Sequence, residues 1–193
     1  MSAIVRELRL LPNQLTAGRL LLVPTLWVAT LLGHGRIVGI GLALSFVLDW
    51  ADGFVARRLK MHSAFGSKFD SIADGLITPS AVAWLLLLQP AALLDHRTIT
   101  LTWFALTYAS LGVGLVKFRR FANLHLQSSR IACVFQYAFV VDALAAPPYE
   151  PVLLYAAASL GIVASLETLV LQLVRNDVNE HLGSILLVAR RGR

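Results

Sequence analysis

The chain has 193 residues, 57% of them hydrophobic and 15% charged, with a mean hydropathy of +0.70. Soluble domains carry about 45–50% apolar and about 25% charged residues, so this composition excludes an ordinary soluble globule and a disordered chain alike. The formal charge of +6 would suit nucleic acid, but the placement of the basic residues gives them another use, and the single cysteine, Cys133, excludes an internal disulfide and a cysteine-based metal cluster.

A bilayer core about 30 Å thick needs a helix of ~20 mainly apolar residues. In chain order, six segments qualify: 15–33, 38–57, 69–90, 98–116, 131–147 and 151–174. Helices are expected because a lipid-exposed backbone must satisfy its own hydrogen bonds. Residues 2–12, ahead of the first span, read as a short interfacial helix ending before Pro12, and the first span lacks a small-residue cleavage site and reads as a retained helix. Pro24 and Pro79 kink their helices, with the freed carbonyls satisfied locally. Polar or Pro-bearing breaks separate the spans: Gly33–Arg36, Arg57–Lys68, Gln89–Arg97, Lys117–Arg130 and Pro147–Glu150. Residues 176–189, with Val178, Leu182, Ile185 and Leu186, read as a second interfacial helix. No internal repeat or low-complexity stretch interrupts this single membrane domain, 1–193.

The 17 Lys and Arg orient the spans. Arg36 and Arg97 fall on one side and Arg19 inside the first span; the other fourteen, from Arg6 to Arg193, fall opposite. By the positive-inside bias both termini face the cytoplasm. A basic cytoplasmic rim explains the pI without nucleic acid and suits anionic lipid headgroups.

Four acids are not explained by membrane spanning. Asp49 and Asp52 in the second span stand at i, i+3, and Asp70 and Asp74 in the third at i, i+4, so each pair shares a helix face. A charge at the bilayer centre costs about 2.5–3.5 kcal/mol on the insertion scale, which makes intramembrane acids functional candidates. At ~1.5 Å per residue, Asp49 lies ~12 Å from Arg57 and Asp74 ~9 Å from Lys68, so the pairs share a depth near the cytoplasmic surface. Four carboxylates in one apolar cavity need cations, and an oxygen-only set suits two ions of Mg²⁺ or Mn²⁺ that clamp a substrate diphosphate. Gly53 and Gly66 fit close approach by a ligand or a helix. Glu167 and Asp142 suit interhelical hydrogen bonds, the four tryptophans suit packing or interface anchoring, and Cys133 suits a small buried apolar position. The fold expected is all-α: six transmembrane helices around a polar cavity open to the cytoplasm, with short interfacial helices at the termini.

Residues 49–74 carry a further pattern. Asp49, Asp52, Gly53, Ala56, Arg57, Gly66, Asp70 and Asp74 fall on D-x-x-D-G-x-x-A-R-x(8)-G-x-x-x-D-x-x-x-D, and this segment resembles the signature of the CDP-alcohol phosphotransferases. Pro12–Arg19 is similar to that family's first helix. The resemblance implies an enzyme that moves a substituted phosphoryl group from a CDP-linked donor to an alcohol and releases CMP, a reaction of phospholipid synthesis. It implies two divalent ions on Asp49, Asp52, Asp70 and Asp74, with Asp74 also the general base. Asp52, Gly53, Ala56, Arg57, Gly66 and Asp70 would line the cytidine nucleotide, and Thr16 and Arg19 would contact the diphosphate. The partners implied are a CDP-lipid, CDP-diacylglycerol first, a small alcohol, the bilayer and a second copy in a homodimer. In a bacterium the membrane would be the inner, cell membrane.

The acceptor stays open among glycerol 3-phosphate, inositol phosphate and serine. Lys117, Arg119 and Arg120, near His125 and Arg130, suit an acceptor phosphate, and equally suit positive-inside anchoring. Gly75 stands where glycerol-phosphate-using relatives commonly carry lysine, which argues against that acceptor, and Asp70–Asp74 is similar to serine-using relatives. A small cation transporter using the acidic cluster is the alternative. It accounts neither for Gly53, Ala56, Arg57 and Gly66 nor for acids gathered near one face.

Overall fold

The computed structural model describes residues 10–59, 64–118 and 127–174. Within them are seven helices and no strand: α1 Leu11–Leu31, α2 Gly35–Leu59, α3 Ala64–Leu88, α4 Ala91–Leu94, α5 Arg97–Phe118, α6 Gln127–Ala145 and α7 Pro151–Val174. All but α4 are long and apolar enough to cross a membrane. Large apolar side chains cover their outer surfaces, with Leu31 77% and Val116 84% exposed. Water would not tolerate so much exposed apolar area, whereas lipid does. The chain is an all-α integral membrane protein.

Each expected span has its helix, with ends displaced by a few residues. α1 begins at Leu11 because Pro12 stands in its first turn, where the missing N–H has no intrahelical partner to lose. Leu11 and Pro12 therefore belong to the membrane helix, while residues 2–9 of the interfacial helix expected at 2–12, and the one expected at 176–189, lie outside the described residues. The helix α1 runs unbroken through Pro24, and α3 through Pro79. Gly33, at φ +77°, ends α1. Its N–H reaches the Thr30 carbonyl and that of His34 the Ala29 carbonyl, a paired closure that needs the left-handed conformation glycine adopts freely. The four-residue α4 after Pro90 has no counterpart among the expected elements.

The chain forms two compact units. The first holds residues up to Pro90 with Val140–Tyr149. Here α1 packs along both α2 and α3, which touch each other little. Leu26, Val38, Leu42, Ile77 and Trp84 fill this core. Trp27 sets its ring edge-on to Trp84 and donates its indole N–H to Ser80 Oγ at 3.0 Å. A cavity of about 390 Å³, lined in part by Gly33, Arg36, Gln89 and Pro147, opens at the end where α1 stops.

The second unit holds Ala91–Phe139 and the residues from Glu150 onward, with α5 packed on α7. At Gly161 the approach is so close that a Cβ would run into the Trp103 indole, with Trp103 Cδ1 at 2.7 Å and Gln136 Nε2 at 2.9 Å. Small residues at membrane helix contacts permit such approach. Thr107 and Ser165 hydroxyls meet at 3.1 Å, and Ser128 Oγ donates to Glu167 Oε2, the interhelical role expected of Glu167. Cys133 is exposed on α6, not buried as expected. Inside a membrane a small apolar residue meets lipid as readily as protein.

Candidate active site

The site lies in the first unit, where the sequence places polar groups on three apolar helices. Asn13, Thr16 and Arg19 recur at intervals of three on α1 and are all buried. Asp49 and Asp52 stand on α2, and Asp70 and Asp74 on α3. Because α1 lies along both α2 and α3, its polar stripe meets both acidic pairs.

Arg19 is the centre of the cluster, with its side chain 1% exposed. Nη1 lies 2.6 Å from Asp49 Oδ1, 2.7 Å from Asp70 Oδ1 and 3.7 Å from Asp52 Oδ2; Nη2 lies 2.6 Å from Asp74 Oδ1. Arginine suits this position because its planar fork carries five donors. One of them, Nε, is buried without a hydrogen-bond partner. Thr16 Oγ1 donates to Asp52 Oδ2 at 3.0 Å, with the Pro12 carbonyl a competing acceptor at 3.2 Å. Asp52 is thus the enclosed carboxylate, whereas Asp74, 54% exposed, is the most open of the four.

The structure brings together the four aspartates that the sequence singled out, and adds two contacts that spacing did not reveal: Arg19 to every carboxylate and Thr16 to Asp52. One oxygen each from Asp49, Asp70 and Asp74 can be chosen so that all lie within 4.8 Å of one another. Four ionised carboxylates against one guanidinium leave a formal charge of −3. An oxygen-only donor set with that deficit fits a hard divalent cation.

Gly53 and Ala56 follow Asp52 on α2 toward the backbone of Arg57, and Gly66 stands in the first turn of α3. Arg58 lies over the Phe54 ring at 5.8 Å, and Phe54 stacks on Trp50, an exposed apolar stripe suited to anchoring. At Gly75 a Cβ would meet nothing within 4 Å. Lys117 belongs to the second unit, where its ammonium donates to the Gln172 carbonyl at 2.7 Å and the Leu173 carbonyl at 3.3 Å, at the C-terminal end of α7. Cations favour such helix ends. Arg119, Arg120 and His125 lie outside the described residues.

Known proteins share this sequence in part. A CDP-diacylglycerol–glycerol-3-phosphate 3-phosphatidyltransferase of Rickettsia felis is 36% identical over 39% of this chain and 44% of its own length. A chloroplastic protein of the same description from Oryza sativa subsp. japonica is 33% identical over 72% of this chain and 47% of its own. A cardiolipin synthase (CMP-forming) of the same plant is 35% identical over 41% of this chain and 25% of its own. The matched segments thus span less than half the length of each relative. The model of the CDP-alcohol phosphatidyltransferase family matches residues 9–172, which takes in α1 to α3, the four aspartates and Arg19. The chain belongs to the CDP-alcohol phosphatidyltransferase family.

Proposed function

We propose that this protein transfers the phosphatidyl group of CDP-diacylglycerol to glycerol 3-phosphate and releases CMP, acting as one membrane domain over 1–193. The observation that carries the reading is the convergence of Asp49, Asp52, Asp70 and Asp74 on one point between three apolar helices. An intramembrane set of four carboxylates is costly unless it binds something cationic.

Asp49, Asp52, Asp70 and Asp74 would hold two divalent ions, Mg²⁺ or Mn²⁺. Such ions supply charge neutralisation to the donor diphosphate and the departing CMP phosphate. Asp74, the most open carboxylate, takes the proton of the acceptor hydroxyl. The freed oxygen forms a bond to the lipid-bearing phosphorus as the bond from that phosphorus to the CMP oxygen breaks, in one displacement. Asp52, Gly53, Ala56, Arg57, Gly66 and Asp70 line the cytidine site, the small residues admitting it closely, and Thr16 and Arg19 face the diphosphate. Phosphoryl transfer draws most of its acceleration from such positioning and charge stabilisation.

Glycerol 3-phosphate is the acceptor named in the descriptions of two of the three relatives. Gly75 is the feature that keeps serine and inositol phosphate in the test. Lys117, Arg119 and Arg120 would hold the acceptor phosphate. The acidic site would face the cytoplasm, where both termini would lie, and the working unit would be a homodimer in the cell membrane; the fourteen-to-two distribution of basic residues and the family resemblance support this placement.

The experiment offers CDP-diacylglycerol with labelled glycerol 3-phosphate, inositol phosphate, inositol, serine, glycerol or choline, one at a time, to purified protein in nanodiscs. Label is expected in lipid with glycerol 3-phosphate. Label only from another alcohol would reassign the acceptor. No labelled lipid from any of them, together with cation flux in proteoliposomes, would replace the reading by the transporter one.

A further inference from the structure

We propose that Arg19 is the resident counterion of the acidic site before metal loads, and that divalent ions enter by exchange with its guanidinium. The inference rests on the metal-site reading above and goes beyond it, because it concerns what holds the site together without metal and what must move.

Three observations carry it. First, among the side chains the structure describes, which do not include that of Arg57, every ion pair of the four aspartates is made with Arg19. Like charges at this separation repel strongly away from water, so the two acidic helices need a cation between them. Arg19 reaches that place from the third helix, α1, which packs on both. Second, Nη1 occupies the space that a shared ion would need. It lies 2.6–2.7 Å from Asp49 and Asp70 oxygens, whereas Mg²⁺ takes its oxygens at about 2.0–2.1 Å. The same oxygens cannot close around an ion while Nη1 stands between them. Third, the pose is incomplete. Arg19 Nε is buried and has no hydrogen-bond partner, so the carboxylates do not saturate the side chain. An arrangement in which the fork turns to another anion can satisfy it better, and the diphosphate of a CDP-linked lipid is an anion of that geometry.

Two consequences follow. Wild-type protein binds metal more weakly than its four carboxylates would alone, because the competent state is only the fraction with Arg19 displaced. The displaced guanidinium is then free for the donor, so metal loading precedes donor capture. Arg19 is in this sense a positioning residue whose effect reads out in metal affinity rather than in turnover alone.

The test uses the full chain in detergent, stripped with chelator and without lipid donor. Mn²⁺ is titrated and the free ion followed by electron paramagnetic resonance. Arg19→Gln is expected to bind Mn²⁺ about tenfold more tightly than wild type, and to melt at a lower temperature than wild type when stripped but not when loaded. Arg19→Lys keeps the charge but replaces the fork by a point charge, so its affinity should fall between the two. If Arg19→Gln does not fold without metal, Arg19→Lys decides alone. Variants that bind Mn²⁺ no more tightly than wild type overturn the exchange and leave the metal site standing. Wild type that binds no Mn²⁺ at millimolar concentration overturns the metal site and the exchange together.

Discussion

Asp74→Asn separates chemistry from binding. Asp74 Oδ1 accepts from Arg19 Nη2 at 2.6 Å, and the side chain is the most exposed of the four. Asparagine keeps the size and a carbonyl for Nη2. It removes one of four negative charges and replaces the basic carboxylate by an amide too weakly basic to take the proton. The cluster with Arg19 goes from a formal −3 to −2, so a cation site survives in weakened form. Loss of a general base typically costs ~10²–10⁴ in rate, which at about 1.36 kcal/mol per tenfold is ~3–5 kcal/mol of barrier. Loss of one charged hydrogen-bonding partner costs the donor about tenfold in affinity. The assay pairs single-turnover CMP release with equilibrium donor binding on the same preparation. Turnover within ~threefold of wild type would refute the base assignment. A fall in donor affinity as large as the fall in turnover would make Asp74 a binding residue only.

Asp49→Asn and Asp70→Asn should act differently, because both carboxylates bind the same Nη1 at the centre of the cluster. Each should raise the Mn²⁺ concentration for half-maximal activity by at least the ~10–100-fold that outer-shell changes at metal sites cost, with donor binding falling in parallel; an unchanged metal dependence would remove that residue from the site. Gly161→Ala should destabilise the second unit by ~1–3 kcal/mol through overpacking, since the buried Trp103 indole has little room to retreat, and thermal unfolding in detergent reads it; an unchanged melting temperature would mean the helices separate freely there. Replacing Lys117, Arg119 and Arg120 with alanine should raise acceptor KM more than donor KM. Equal effects on both would mean that the bonds from Lys117 to the Gln172 and Leu173 carbonyls describe its whole role.

The helices were legible because membrane spanning writes itself as long apolar runs with polar breaks, and the aspartates because a carboxylate in such a run is anomalous. Their spacing placed each pair on one face. What spacing could not supply was the partner across the interface. Arg19 reads as a lone basic residue inside the first span, and its four contacts exist only because α1 packs on both α2 and α3. The bond from Thr16 to Asp52 is hidden for the same reason, joining positions 36 residues apart. Cys133 shows the complementary limit. Hydropathy distinguishes membrane from water but not lipid from protein interior, because both are apolar, so the sequence cannot say which face of α6 is covered. The short α4 was missed because four residues carry no periodicity to read.

Phosphatidyl transfer with divalent ions at the four aspartates makes CMP release depend on metal. CMP from CDP-diacylglycerol and glycerol 3-phosphate is followed with protein stripped of metal and then resupplied. No CMP is expected in chelator, with release restored on adding Mn²⁺ or Mg²⁺. Equal CMP release with and without chelator would contradict that dependence.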